Sequence, residues 1–232
     1  MKSWNNKRRG GFTLVELLVV IGIIVVLIGI MLPAISKIRL AAKATATDGQ
    51  IKKIMSAIEN YRQAHQSFPG PQGLTNVTTG TENLVLGLIG ANGKGPVVRQ
   101  GHQQRIADPY IQPATGELSK GKFQDEQGRT CSDTNIPEFV DQFNDPLPIL
   151  YLRARIGIGG IYGSGQHYDP AEVAAYVNSD IGGGGHSFSA DYFKDLNSNG
   201  PRSKDTYILI SAGADRKYGT EDDICSFGRP GY

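Results

Sequence analysis

An apolar run from Phe12 to Ile35 constrains this chain more than any other stretch of its sequence. Within the run, the only side chains able to form hydrogen bonds are those of Thr13 and Glu16. A helix of about 24 residues, rising about 1.5 Å per residue, reaches roughly 36 Å and crosses a hydrocarbon core of about 30 Å. The run therefore predicts a membrane-spanning helix.

Positive charge is concentrated on the N-terminal side of this run. Lys2, Lys7, Arg8 and Arg9 precede it, and no comparable basic cluster follows directly after Ile35. Because cytoplasmic flanks carry the excess of Lys and Arg, we expect the N-terminus to stay in the cytoplasm. The bulk of the chain is then expected to lie outside the cytoplasm.

Glu16 is the unusual residue of the run, an acid near the start of an otherwise apolar helix. A carboxylate in that setting costs about 2.5–3.5 kcal/mol on insertion scales, so a partner or protonation is expected. No Lys, Arg or His lies between Phe12 and Ser36, and we expect the partner to come from elsewhere. Cleavage between Gly11 and Phe12 would supply one, because the new α-amino group of a neighbouring copy would lie at the same depth.

The stretch Gly11-Phe12-Thr13-Leu14-Val15-Glu16, behind a short basic leader, resembles the start of type IV pilins and type II secretion pseudopilins. The resemblance extends to about residue 66, and the later motifs are most similar to the major, G-type pseudopilin. It implies that a prepilin peptidase cuts after Gly11 and methylates the amine of Phe12, and that Glu16 serves in assembly. An ordinary signal peptide is disfavoured, because it has a shorter apolar core followed by a small-residue cleavage site.

The helix is predicted to continue to about Gln66, because apolar residues from Ile38 to His65 recur at spacings of three and four. Pro33 is expected to kink it, and residues 68–71, Phe-Pro-Gly-Pro, to end it. The resemblance implies an α+β lollipop fold, with the long helix on a small antiparallel sheet among Gly-rich loops. The predicted parts are a cleaved leader (1–11), a transmembrane and assembly helix (12–35), its amphipathic continuation (36–66) and a globular domain (67–232).

Composition limits the remaining possibilities. The 232 residues, 39% of them hydrophobic, allow one medium globular domain besides the anchor. The net charge of +2 includes four positive side chains in residues 1–11, so the part from Phe12 onwards carries −2 and nucleic-acid binding is not expected. Cys131 and Cys225 allow one disulfide in an oxidising compartment, and two unpaired buried thiols are the alternative.

The globular part has weaker patterns. Residues 72–136 predict a short helix and irregular loops, and Gly-rich loops are expected at 157–165 and 182–185. A short helix is expected over 170–177. The turn at 195–200 copies half of an EF-hand loop without its closing Glu, and is predicted to be a plain turn. Before the β-rich run that begins at Ile149, a turn resembles one of the major pseudopilins. Asp141, Pro146 and Tyr151 match it, and Phe143 and Asn144 stand where they have Trp and Gly.

A strand-like run from Tyr207 enters an acidic loop that holds Asp215, Glu221, Asp222 and Asp223. Four acids this close repel one another unless a cation is bound, and oxygen ligands without His or Cys favour Ca²⁺. The loop also resembles the calcium loop of the major pseudopilins, whose ligands are two Asp seven residues apart and backbone carbonyls. That resemblance implies Asp215 and Asp222 as ligands, with Glu221 and Asp223 as auxiliaries. A solvated acidic turn is the alternative.

The resemblance implies a structural subunit, not an enzyme, of a type II secretion pseudopilus in the bacterial inner membrane, with a periplasmic globular domain. Its implied partners are copies of itself, other pseudopilins, the prepilin peptidase and the inner-membrane assembly platform. A minor type IV pilin for adhesion or DNA uptake is one alternative. Another is a pilin-anchored periplasmic binding protein or hydrolase, which predicts a polar pocket near Asp215 and Asp222. The sequence itself contains no recognisable catalytic constellation.

Overall fold

The computed structural model describes residues 12–70, 80–100, 103–120, 136–153, 203 and 206–228. Two helices and seven short strands lie in these ranges and confirm the predicted α+β class. They are α1 (Leu14–His65), α2 (Gly80–Leu88), β1 (Val97–Gln100), β2 (Gln103–Ile106), β3 (Leu118–Lys120), β4 (Pro137–Phe139), β5 (Leu150–Arg153), β6 (Tyr207–Ser211) and β7 (Ile224–Cys225). Contacts divide the chain into two compact units, Met1–Ala42 and Lys43–Tyr232.

In the first unit, α1 continues through Pro33, and the hydroxyl of Ser36 donates to the Pro33 carbonyl oxygen at 2.9 Å. Large apolar side chains are exposed all around this part of the helix, from Leu14 to Leu40. By length and composition, α1 is the one described helix that is able to cross a membrane. A cleaved signal sequence satisfies the same criterion, so the assignment of this segment depends on its residues rather than on its hydropathy.

In the second unit, the last turns of α1 supply one wall of the core. Ile51, Ile54 and Ile58 recur at helical spacing and are almost completely buried. Every residue of α2 is buried as well, and this helix contacts β4 and β5. The core therefore sits between the C-terminal part of α1, α2 and the short strands.

The end of α1 is itself part of this core. The helix ends at His65, as the sequence predicts, and Gln66 follows with a left-handed φ of 54°. Pro69 and Gly70 are buried, and the hydroxyl of Tyr151 on β5 donates to the Pro69 carbonyl oxygen at 2.9 Å. A Cβ atom at Gly87 of α2 would lie 2.9 Å from the Cβ atom of Pro69, so the absence of a side chain there allows this close packing.

The strands form three small antiparallel sheets in the described part of the chain. β5, β6 and β7 make the largest, with Tyr151 opposite Leu209 and Ile210 opposite Cys225. β3 pairs with β4, and β1 with β2. Residues 72–136 were predicted to contain only a short helix and loops. The helix is confirmed as α2, but that prediction was incomplete, because β1, β2 and β3 also lie there.

Several predicted features lie outside the described residues. They are Gly11, Cys131, both Gly-rich loops, the helix over 170–177 and the turn at 195–200.

Candidate functional site

The helix α1 begins with a capping box formed by Thr13 and Glu16. One carboxylate oxygen of Glu16, Oε2, accepts from the backbone N–H of Thr13 at 2.8 Å and from its hydroxyl at 2.7 Å. In return, the backbone N–H of Glu16 donates to Oγ1 of Thr13 at 3.2 Å. The pair satisfies N–H groups that the start of a helix otherwise leaves without partners.

This geometry corrects one step of the sequence interpretation. We expected the partner of Glu16 to come from elsewhere, because no cationic side chain lies in the apolar run, but Thr13 of the same chain provides two hydrogen-bond donors. The Thr-x-x-Glu spacing is itself the sequence pattern of a capping box and was overlooked in the search for a cation. Pairing of Glu16 with the amine of a neighbouring Phe12 stays a prediction.

Asp222 closes the C-terminal acidic loop. Its Oδ2 accepts from the backbone N–H of Ala214 at 2.6 Å and of Asp215 at 2.9 Å, and its Oδ1 accepts from the hydroxyl of Thr220 at 2.7 Å. Gly213 permits the close approach, because a Cβ atom there would lie 2.3 Å from the Asp222 carbonyl oxygen. Gly213 also has a φ of 61°, a left-handed conformation that favours glycine.

Asp215 lies close enough to Asp222 for the two carboxylates to influence each other. Partial burial raises the pKa of Asp215, and the negative charge of Asp222 raises it further. The backbone N–H of Lys217 donates to Oδ1 of Asp215 at 2.8 Å and lowers this pKa, but by less than burial raises it. A raised carboxyl pKa means that the ionised form lacks sufficient compensation in the loop. Two carboxylates this close are oxygen ligands of the kind that a hard divalent cation such as Ca²⁺ prefers.

The other two acids of the predicted site are placed differently. Asp223 is buried, and its Oδ2 accepts from the backbone N–H of Gly219 at 2.8 Å, whereas Glu221 is exposed. Within the described residues, no three His, Cys, Asp or Glu side chains are grouped so that they could hold a metal ion. A calcium site here would therefore consist of Asp215 and Asp222 with backbone carbonyl oxygens, and calcium binding stays a prediction.

The loop is fastened to the rest of the unit by Arg216, which sequence reasoning missed. Its guanidinium donates to Oδ2 of Asp141 at 2.8 Å and to the Gly213 carbonyl oxygen at 3.0 Å, and it also bonds the carbonyl oxygen of Asp145. The same group lies 5.4 Å from the ring centre of Phe143. These contacts place a cation between the acidic loop and the turn at residues 141–148.

Asp141 is the buried centre of this arrangement. Its Oδ2 also accepts from the hydroxyl of Ser211 at 3.0 Å, and its Oδ1 accepts from the backbone N–H groups of Phe143 and Leu147, both at 3.3 Å. Only 1% of Asp141 is exposed, so its charge depends on these donors. The sequence placed Asp141 in a turn, but nothing in it indicated that Arg216 would be the partner.

Cys225 lies in β7 and is buried, with 6% of its surface exposed. Its predicted partner, Cys131, is outside the described residues, so the disulfide stays a prediction.

The first comparison with known proteins concerns the N-terminal part of the chain. Residues 6–32 match the prokaryotic N-terminal methylation motif, which covers the second half of the leader, the capping box and most of the apolar run. By this motif, the N-terminal part of the chain is similar to the start of prokaryotic pilins and pseudopilins.

A second comparison is with one particular protein. Over 66 residues, the chain is 32% identical to the type II secretion system core protein G of Pseudomonas aeruginosa. The alignment covers 28% of this chain and 46% of the relative, so it spans about half of that protein's length. No solved structure gives a significant match to the chain.

Proposed function

We propose that this protein is a structural subunit of a type II secretion pseudopilus, which polymerises through the N-terminal part of α1 to drive protein export. The observation that carries the proposal is the methylation motif over residues 6–32 at the start of a helix of membrane-spanning length. The similarity to a type II secretion core protein supports the secretion assignment over other members of the family.

The exposed apolar surface of α1 supplies the physical basis for polymerisation. Side chains such as Leu14 (79% exposed) and Ile30 (70% exposed) are covered by lipid while the helix is in a membrane. Once the helix leaves the bilayer, the same surface needs another apolar cover, and the helices of neighbouring copies provide it. Other pseudopilins would provide an equivalent surface, and a prepilin peptidase and an inner-membrane platform would process and extrude the subunit.

The proposed location follows from the same segment. The four basic side chains within residues 2–9 favour a cytoplasmic N-terminus, which supports a periplasmic location for the unit Lys43–Tyr232. Calcium is the proposed ligand of Asp215 and Asp222 in that compartment, with a structural rather than a catalytic role. The proposed work of the protein is assembly, so no enzymatic activity is assigned to it.

A minor type IV pilin is the second candidate, because the methylation motif is shared by both systems. A pilin-anchored binding protein or hydrolase has less support. It predicts a pocket at the acidic loop, whereas two described cavities, of about 400 and 280 Å³, are lined mainly by residues of α1 and its end together with Arg153 and Tyr207. Neither cavity includes a residue of the loop 213–223.

Complementation tests the proposal. The gene is deleted in its host, and export of secreted proteins is compared with surface piliation, adhesion and DNA uptake. Loss of export, restored by the intact gene, supports the secretion role. Normal export with defective piliation, adhesion or DNA uptake would instead assign the chain to a type IV pilus.

A further inference from the structure

A set of hydrogen bonds between residues 43–50 of α1 and residues 140–144, called here the polar seam, joins α1 to the segment that carries Asp141. The backbone N–H of Gln142 donates to Oγ1 of Thr47 at 3.1 Å, and its side-chain amide donates to Oε1 of Gln50 at 2.9 Å. The amide of Gln50 donates in turn to the Val140 carbonyl oxygen at 2.9 Å. Thr47 and Gln50 are buried and Gln142 is half-buried, so these bonds are partly shielded from water.

The seam begins at the first residue of the globular unit. The ammonium of Lys43 bonds Oδ1 of Asn144, one turn of α1 before Thr47. Lys43, Thr47 and Gln50 are spaced by four and three residues, so they lie along one face of the helix. The hydrogen bonds described for these three side chains go to residues 140–144.

The seam and the Arg216 ion pair share one short segment. Asp141, which binds Arg216, is the direct neighbour of Gln142, which binds Thr47 and Gln50. Polar contacts and the backbone of residues 140–145 together therefore connect the C-terminal loop to residues 43–50 of α1.

We propose that Arg216 couples the C-terminal loop to α1, so that closure of the loop determines how firmly residues 43–50 are held. If the guanidinium is lost, the buried carboxylate of Asp141 loses the cation that, among the described residues, compensates its charge. The turn must then move to bring that charge to water. Because Gln142 is the next residue, such a movement stretches its bonds to Thr47 and Gln50 and loosens the helix.

The coupling gives the loop a role in assembly, and that role rests on the proposed function. A filament subunit that polymerises through α1 transmits force along this helix, so residues 43–50 of α1 need to be held firmly in the globular unit. Under the proposal, a chain whose C-terminal loop has not closed has a loosened α1 and is a poor subunit for assembly. The coupling itself is a property of the single chain and can be measured without a filament.

The alternative is that each contact is only local. Contiguous contacts do not prove energetic coupling, and the decisive evidence is that a change at one end is felt at the other. Coupling is also reciprocal, so a change in the helix must be felt in the loop. Amide hydrogen exchange of the full chain in detergent reports both ends separately.

In the first arm, Arg216→Gln is compared with Arg62→Gln. Arg62 is a matched control, because it also pairs with a carboxylate, Glu59 at 3.0 Å, and lies 5.5 Å from the ring centre of Phe68. We expect Arg216→Gln to speed exchange about tenfold or more in both 213–223 and 43–50, given the weight of a buried ion pair. We expect Arg62→Gln to leave 43–50 unchanged. Faster exchange in the loop with no change in 43–50 would overturn the proposal.

The second arm runs in the opposite direction and decides the question if Arg216→Gln unfolds the whole unit. Thr47→Val and Gln50→Leu remove the helix side of the seam without touching Arg216. Exchange in the loop 213–223 is expected to rise, while exchange in α2, which lies in the core, stays as in the unchanged protein. A loop whose exchange is insensitive to both substitutions would show that the contacts are local and would exclude the coupling.

Discussion

Arg216 and Asp141, 75 positions apart in the chain, form an ion pair of 2.8 Å whose carboxylate is completely buried. Removing one partner of such a pair leaves a charge in an environment that cannot solvate it. The pair therefore holds the C-terminal loop against the turn that follows β4.

The first prediction concerns the stability of this pair. Arg216→Gln and Asp141→Asn are each expected to lower the free energy of unfolding, by about 3 kcal/mol or more, as for other buried pairs that lose one partner. The double substitution is expected to cost less than the two single costs together, because neither charge is then left uncompensated. Urea unfolding in detergent measures all three variants. Strictly additive costs would show that the pair contributes nothing as a pair.

The second prediction concerns the capping box. Thr13→Val keeps the shape of the side chain but removes the hydroxyl that bonds Glu16, at a cost of about 1 kcal/mol at the helix start. Faster hydrogen exchange of the amides at residues 13–17 is expected. Thr13→Ser retains the hydroxyl and serves as the control. Equal exchange in the two variants would mean that the capping box does not hold the start of α1.

Asp215 provides the third prediction, in which pH and calcium act on the same group. Its pKa is raised in the folded chain, so its protonated form favours folding. That contribution is fully present below the unfolded pKa and is lost as pH rises through the raised folded pKa. At neutral pH without calcium, the ionised side chain is therefore expected to destabilise the loop, and Asp215→Asn is expected to raise the melting temperature.

Calcium is expected to reverse this order. An ion bound by Asp215 and Asp222 compensates both charges and stabilises the folded chain by about 2.7 kcal/mol at 100 times its Kd. The unchanged protein should therefore melt at a higher temperature with millimolar calcium, and Asp215→Asn should lose that response. Asp48→Asn, which removes an acid on α1, is the control and should keep it. If calcium does not change the melting temperature of the unchanged protein, the loop is a solvated acidic turn rather than a calcium site.

Processing is the subject of the fourth prediction. In a host with the prepilin peptidase, intact mass of the membrane-extracted protein is expected to show loss of residues 1–11 and one methyl group on Phe12. Gly11→Val places a branched side chain at the cleavage point and is expected to prevent the cut. An unprocessed N-terminus in the unchanged protein would contradict the assignment made from the methylation motif.

The fifth prediction separates membrane insertion from assembly. Glu16→Val removes the charge from the apolar run, so insertion is expected to improve, whereas filament growth should fail because the amine of a neighbouring Phe12 loses its partner. Thr13→Val is the informative companion, because it removes the hydroxyl that bonds Glu16 within the chain and leaves the carboxylate. If Glu16→Val supports normal export, the pairing between copies is not required.

The sequence was sufficient for the features that depend on neighbours along the chain. Helical spacing gave the core face of α1, and the Pro-Gly stop gave its end at His65. Thr13 and Glu16 were also within reach, since their spacing is a local pattern. Arg216 and Asp141 were not, because a pair separated by 75 positions is brought together only by the fold. The hairpin of β1 and β2 is local, but it was missed because its Arg and Gln residues lack the alternation of apolar and polar side chains that indicates a strand.

The contact between Tyr151 and Pro69 limits the positions at which a fluorescent label can be attached to this protein without disturbing its core. Since Pro69 and Gly70 are buried, and Gly87 leaves no room beside Pro69, an inserted tag at the end of α1 would have to displace β5 and α2. Asn60 lies five residues before the end of α1 and is exposed. A single cysteine introduced there would carry a small dye while leaving the junction between helix and core intact.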